Sequence, residues 1–263
     1  MTLFEEPQKI NNRMKLLFIR LLPFMASTAA FKMLIWYFEY KGYFVNPEID
    51  GMLTILGIVI GIILATQLPF AVSKYKEAND NLDNTRAILW SISNMFIREK
   101  VSKEDRKIFV DITRDWLESY RGYLKDRNSK KIMIKKFRVF SLSFGPIFKK
   151  YKFSESRKSR VDEWLCLISR FMSGEDSLKS MRTPDAYYDI MRIGIFIYII
   201  GSALGYPGLV GLLITISIAF FFGGMYVLAA DFDDPFGYSR DEIVDVDIDT
   251  PISDAQYYIA DDF

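Results

Sequence analysis

The chain has no histidine and one cysteine, Cys166, among its 263 residues. Without histidine there is no Ser-His-Asp or Cys-His relay, no imidazole ligand for a metal, and no side chain that ordinarily titrates near neutrality. A single cysteine excludes an intrachain disulfide, and its Trp-Leu-Cys-Leu-Ile setting is that of a buried core residue. Charge is also missing where it matters: 51–73 and 193–230 contain no Asp, Glu, Lys or Arg. No glycine-rich phosphate loop, zinc-ligand spacing, internal repeat or paired-carboxylate signature is present, so catalysis is not expected. The net charge of +1 provides no basic surplus for a nucleic acid.

Half of the residues are hydrophobic and a quarter are charged, but the two sets are segregated along the chain. Gly51 to Val72, GMLTILGIVIGIILATQLPFAV, is 22 residues long. At ~1.5 Å per residue it can cross a hydrocarbon layer ~30 Å thick. Beyond Pro69 the sequence turns polar while Leu82, Thr85, Leu89, Ile92 and Phe96 keep a helical period. One membrane helix is therefore expected to continue, through a kink at the proline, into a long soluble helix. Before it, Lys15 to Phe38 forms an apolar run interrupted by Arg20 and Lys32. Each would cost roughly 2.5–3.5 kcal/mol at a span centre, so neither should face lipid at mid-depth. Arg20 can snorkel to the near surface. Lys32 is expected to reach the far interface, the protein interior, or an aqueous vestibule where it would line an ion path.

After 186 come two more apolar runs, Ile190 to Leu204 and Leu209 to Ala230, joined by the short turn Gly205-Tyr206-Pro207-Gly208. They read as an antiparallel hairpin in which Gly201, Gly205, Gly208, Gly211, Gly223 and Gly224 permit close backbone approach. Between the second and third spans, Ile112, Trp116, Tyr120 and Tyr123 recur at helical spacing, as do Trp164, Leu165, Ile168 and Phe171. The basic run KKIMIKKFRVF reads as a solvated helix face near lipid headgroups, with specific lipid recognition as the sharper alternative. Of the 34 Lys and Arg residues, 26 lie between Lys74 and Arg182. The positive-inside rule then places that segment and both termini in the cytoplasm. The expected fold class is all-α: a four-span, multi-pass protein of the plasma or inner membrane with a cytoplasmic helical bundle. Its expected divisions are 1–72 with the first two spans, 73–186 cytoplasmic, 187–230 with the last two spans, and an acidic cytoplasmic tail at 231–263. The polar residues 1–13 do not form a secretory signal and are expected on the membrane surface or against the soluble part.

The tail carries the one motif with a familiar look. Asp234-Pro235-Phe236-Gly237 directly follows the last span and is itself followed by acids. Together with two spans, about a hundred cytoplasmic residues and two further spans, it resembles the bestrophins, as a divergent member. That resemblance implies a homopentamer whose second spans line a central pore for chloride or other small anions. It would put the narrow neck on Thr54, Ile58 and Ile62, four apart and so on one helical face, with Ile55, Val59 and Ile63 as the alternative register. Lipid contact or core packing explains the same apolar stripe without a pore. Such a neck, lacking phenylalanine, would gate by dewetting. The resemblance also implies a calcium clasp, here on Asp231, Asp234, Ser239, Asp241 and Glu242, because hard oxygen donors suit Ca²⁺. The plainer reading of these acids is a solvated tail that pairs with basic cytoplasmic helices. The competing function is a non-conducting scaffold or sensor that binds a partner or lipid through 130–152 and the residues after Asp245.

Overall fold

The computed structural model describes residues 7–43, 49–181, 183–236 and 246–261. Among these there are α-helices and no strand. They form two compact units, each with its own core.

The first unit takes in the described residues 7–43, 49–74 and 183–234. Its described helices are α1 (Pro7–Tyr40), the start of α2 (Asp50–Arg98), and two more, here α7 (Asp185–Gly205) and α8 (Gly208–Asp233). Among the described residues, four helices contain stretches long and apolar enough to cross a membrane: Lys15–Tyr40, Gly51–Arg98, Ala186–Gly205 and Gly208–Asp233. The helix that begins at Asp50 continues unbroken through Pro69. α1 packs on α8 and α7, and α7 on α8. Ile60, Leu64, Met191, Ile195, Ile199 and Ala219 fill the centre. Glycine sets the spacing where helices touch. A Cβ at Gly201 would come within 2.5 Å of Leu53, and one at Gly57 within 2.7 Å of the Tyr198 hydroxyl. The α7–α8 turn needs Gly208, whose φ of +65° lies in the region L side chains rarely adopt.

The second unit takes in the described residues 75–181, 235–236 and 246–261. Its helices are the remainder of α2, α3 (Lys103–Leu124), α4 (Lys130–Leu142), α5 (Phe144–Lys150), α6 (Glu155–Ser180) and α9 (Asp249–Asp261). α3 starts at Ser102, whose hydroxyl accepts from the Asp105 amide and so satisfies an otherwise open helix-end donor. Aromatic rings dominate the core: Phe96 and Phe109 lie 4.7 Å apart edge to face, and Trp116 and Phe140 stack at 4.7 Å. Trp116, Tyr120 and Ile168 are fully buried, as their spacing predicts, while Ile112, Trp164, Leu165 and Phe171 are half-buried.

One expectation is corrected here. Cys166 is exposed rather than buried. The buried stripe of α6 runs through Val161, Ile168 and Met172, and a residue two positions before Ile168 sits about 200° around the helix, on the outer side. The described residues after the fourth span are packed as well as paired. Phe236, Val246 and Ile248 are buried in the second unit, the Val246 amide donates to the Pro235 carbonyl at 3.1 Å, and Ile252 and Ala255 seat α9 on α3. The expected pairing of tail acids with basic helices is present: Asp249 lies 2.5 Å from Lys125, and Asp254 lies 2.9 Å from Arg86.

Candidate functional site

The charge-free half of α2 has two unlike sides. Leu53, Ile60, Leu64 and Ala71 are buried against the first unit. The opposite side is open: Thr54 is exposed, and Ile58 and Ile62 keep 56% and 59% of their surface. Ile55 and Val59 are exposed on the same side, and Ile63 is half-buried. The Thr54, Ile58 and Ile62 stripe thus opens wholly onto one apolar face, with Ile55 and Val59 beside it, whereas Ile63 packs partly against the core. That face is what a neighbouring copy, lipid or a pore would meet.

Charged side chains within the first unit are held in pairs. The Lys32 ammonium is fully buried, 3.1 Å from Glu39 Oε1 and 2.8 Å from the Ala203 carbonyl. Glu39 Oε2 in turn accepts from the Gly208 amide at 3.3 Å. Lys32 therefore ties the end of α1 to the α7–α8 turn. Arg20 holds both oxygens of Asp231 from one guanidinium nitrogen, at 3.1 and 2.8 Å. Lys74 donates to Asp233 at 2.5 Å, and the Thr183 amide and hydroxyl donate to the same carboxylate at 2.8 and 2.9 Å.

Of the five residues assigned to a calcium clasp, Ser239, Asp241 and Glu242 lie outside the described residues. Asp231 already has the Arg20 guanidinium as its counter-ion, and Asp234 is half-buried at the end of α8. Among the described residues no group of three or more Asp, Glu, Cys or His side chains converges as a metal site. Asp233, which the sequence does not single out, accepts from Lys74 and from both donors of Thr183. Its signal was faint: Lys74 is the first charged residue after the apolar span, and Asp233 closes the fourth span, so both mark a membrane exit.

In the second unit the notable titratable group is Glu175. It is fully buried on α6 and accepts from the Tyr120 hydroxyl, and Oε1 has no hydrogen-bond partner among the described residues. Burial raises its pKa from 4.5 to about 8, against the opposing effect of the Tyr120 bond. The same burial and the nearby carboxylate push the Tyr120 phenol well up. A carboxyl this deep favours its neutral form.

The described architecture is that of an integral membrane protein with four helical spans and an attached helical unit. Its fold is that of the bacterial bestrophin homologues. A crystal structure of a bestrophin homologue from Klebsiella pneumoniae aligns with a TM-score of 0.78 at 15% identity, covering 93% of this chain and 97% of that one. A point variant of the homologue from the same organism gives 0.80 at 15% identity over 92% and 98%. A variant described as a membrane protein gives 0.80 at 14% identity over 93% and 97%. No protein-family model matches the chain, and no curated protein matches it.

Proposed function

We propose that the protein is an oligomeric ion channel of the bestrophin type, passing small ions, anions such as chloride before others, between second spans arranged around an axis. The observation that carries this reading is the two-sided α2: one side anchors in the span unit, and the other leaves Thr54, Ile58 and Ile62 open on a charge-free face. Five copies, the number the resemblance implies, would turn this face into rings of branched aliphatics that pass ions only when wetted. The anion preference and the calcium clasp rest on the resemblance alone. No catalytic role is assigned.

A non-conducting scaffold is the second reading, favoured by one feature. On α4, Ile132, Ile134, Val139 and Leu142 are exposed among lysines and arginines, an amphipathic surface fit for a partner or lipid. The two readings separate in liposomes holding purified protein, with chloride and potassium efflux measured with and without Ca²⁺. Chloride efflux supports the channel, and a silent but correctly assembled oligomer supports the scaffold.

A further inference from the structure

A groove of about 470 Å³ lies in the first unit between α1, α7 and α8. That volume is within the roughly 300–1,000 Å³ of sites for small amphiphiles. Its walls include Phe24, Phe196, Gly223 and Val227, and two arginines, Arg20 and Arg192, border it. A Cβ at Gly223 would meet Leu21 and Phe24 at 3.3–3.5 Å, so glycine lets α1 and α8 close behind the groove.

The arginines lie towards the same end of the α7–α8 hairpin. Arg20 is bound to Asp231, two residues before the end of α8. Arg192 is seven residues into α7, and Thr183, just ahead of that helix, donates to Asp233 at the end of α8. An arginine at this level belongs with headgroups, whereas the walls deeper in belong with acyl chains.

Neither arginine is fully engaged by its own acid. Both bonds from Arg20 to Asp231 leave from Nη1. Arg192 meets Asp189 at 2.8 Å, but both are well exposed, and such a pair one helical turn apart holds its members only weakly. A phosphate can displace Asp189 and take the guanidinium in its two-pronged geometry. A headgroup that adds an ammonium would set it against two guanidiniums.

We propose that this groove binds one anionic phospholipid, its phosphate on Arg192 and Arg20 and one acyl chain along Phe24, Phe196, Gly223 and Val227. The site is separate from the α2 face and does not depend on ion conduction.

The test is thermal unfolding of the full-length protein in detergent with added phosphatidylglycerol, phosphatidylcholine of the same acyl chains, or glycerol phosphate without chains. Phosphatidylglycerol raises the Tm by several degrees, phosphatidylcholine by less than half as much, and glycerol phosphate not at all. Arg192→Gln reduces the phosphatidylglycerol increment to that of phosphatidylcholine, and Val227→Trp, which fills the groove, removes both increments. Equal increments from the two lipids, or an Arg192→Gln protein that keeps the full preference, overturn the proposal. So does a shift with glycerol phosphate alone, which makes the site a simple anion site. A groove covered by a second copy gives no lipid increment in the wild type and also contradicts it.

Discussion

Lys74 and Asp233 stand 159 residues apart in sequence and 2.5 Å apart in space, with both side chains more than nine-tenths buried. The pair joins the point where α2 loses its apolar character to the end of the fourth span. Thr183, just ahead of α7, adds two hydrogen bonds to the same carboxylate. Three chain segments that leave the span unit are thus fastened at one acid.

Removing one member of this pair leaves a buried charge uncompensated. Lys74→Met is expected to cost about 3–5 kcal/mol. Adding Asp233→Asn recovers part of that loss, because the amide no longer needs a counter-ion and can still accept from Thr183. A double-mutant cycle on Tm reads the coupling, and additive losses would show that the pair contributes nothing.

Gly211 is the glycine least able to change. A Cβ there would lie 2.0 Å from the Tyr206 carbonyl oxygen, a backbone atom held by the α7–α8 turn. Gly211→Ala is expected to exceed the ~1–3 kcal/mol usual for overpacking and to lower the yield of folded protein. Gly145, whose Cβ would meet open space, serves as the control and tolerates alanine without loss of fold.

Glu175 makes the stability of the second unit depend on pH. Its folded pKa is raised from 4.5 to about 8, so the folded state holds a proton that the unfolded chain releases. The contribution is complete below about pH 4.5 and is lost as pH climbs to about 8, where the carboxyl ionises in the fold as well. Melting curves from pH 5 to 8 should fall for the wild type. Glu175→Gln, which is neutral throughout, should remove that part of the slope and melt higher than wild type at pH 8. An unchanged slope in Glu175→Gln would place the ionisation elsewhere.

Much of the fold was legible in the sequence because membrane spans announce themselves by composition. The absence of charge over 51–73 and 193–230 marks three of the four spans, and Gly205-Tyr206-Pro207-Gly208 marks the hairpin. Trp116 and Tyr120 were legible as core from their spacing. Cys166 was misread because local apolar neighbours say nothing about which side of a helix faces inward. Charge pairing was the least legible. Nothing near Lys32 in the sequence indicates that it will meet the Ala203 carbonyl, and nothing near Arg20 indicates Asp231. Such contacts are made by packing between distant spans, which local sequence does not record.

The α2 face is the centre of the account, and one measurement bears on it most directly: chloride efflux from liposomes holding wild type or the Ile58→Ala/Ile62→Ala variant at equal oligomer content. If this face lines the pore, smaller side chains widen and wet the neck, and the double variant conducts several-fold more than wild type. Equal efflux from the two proteins, or none from either, would contradict a pore along the second span.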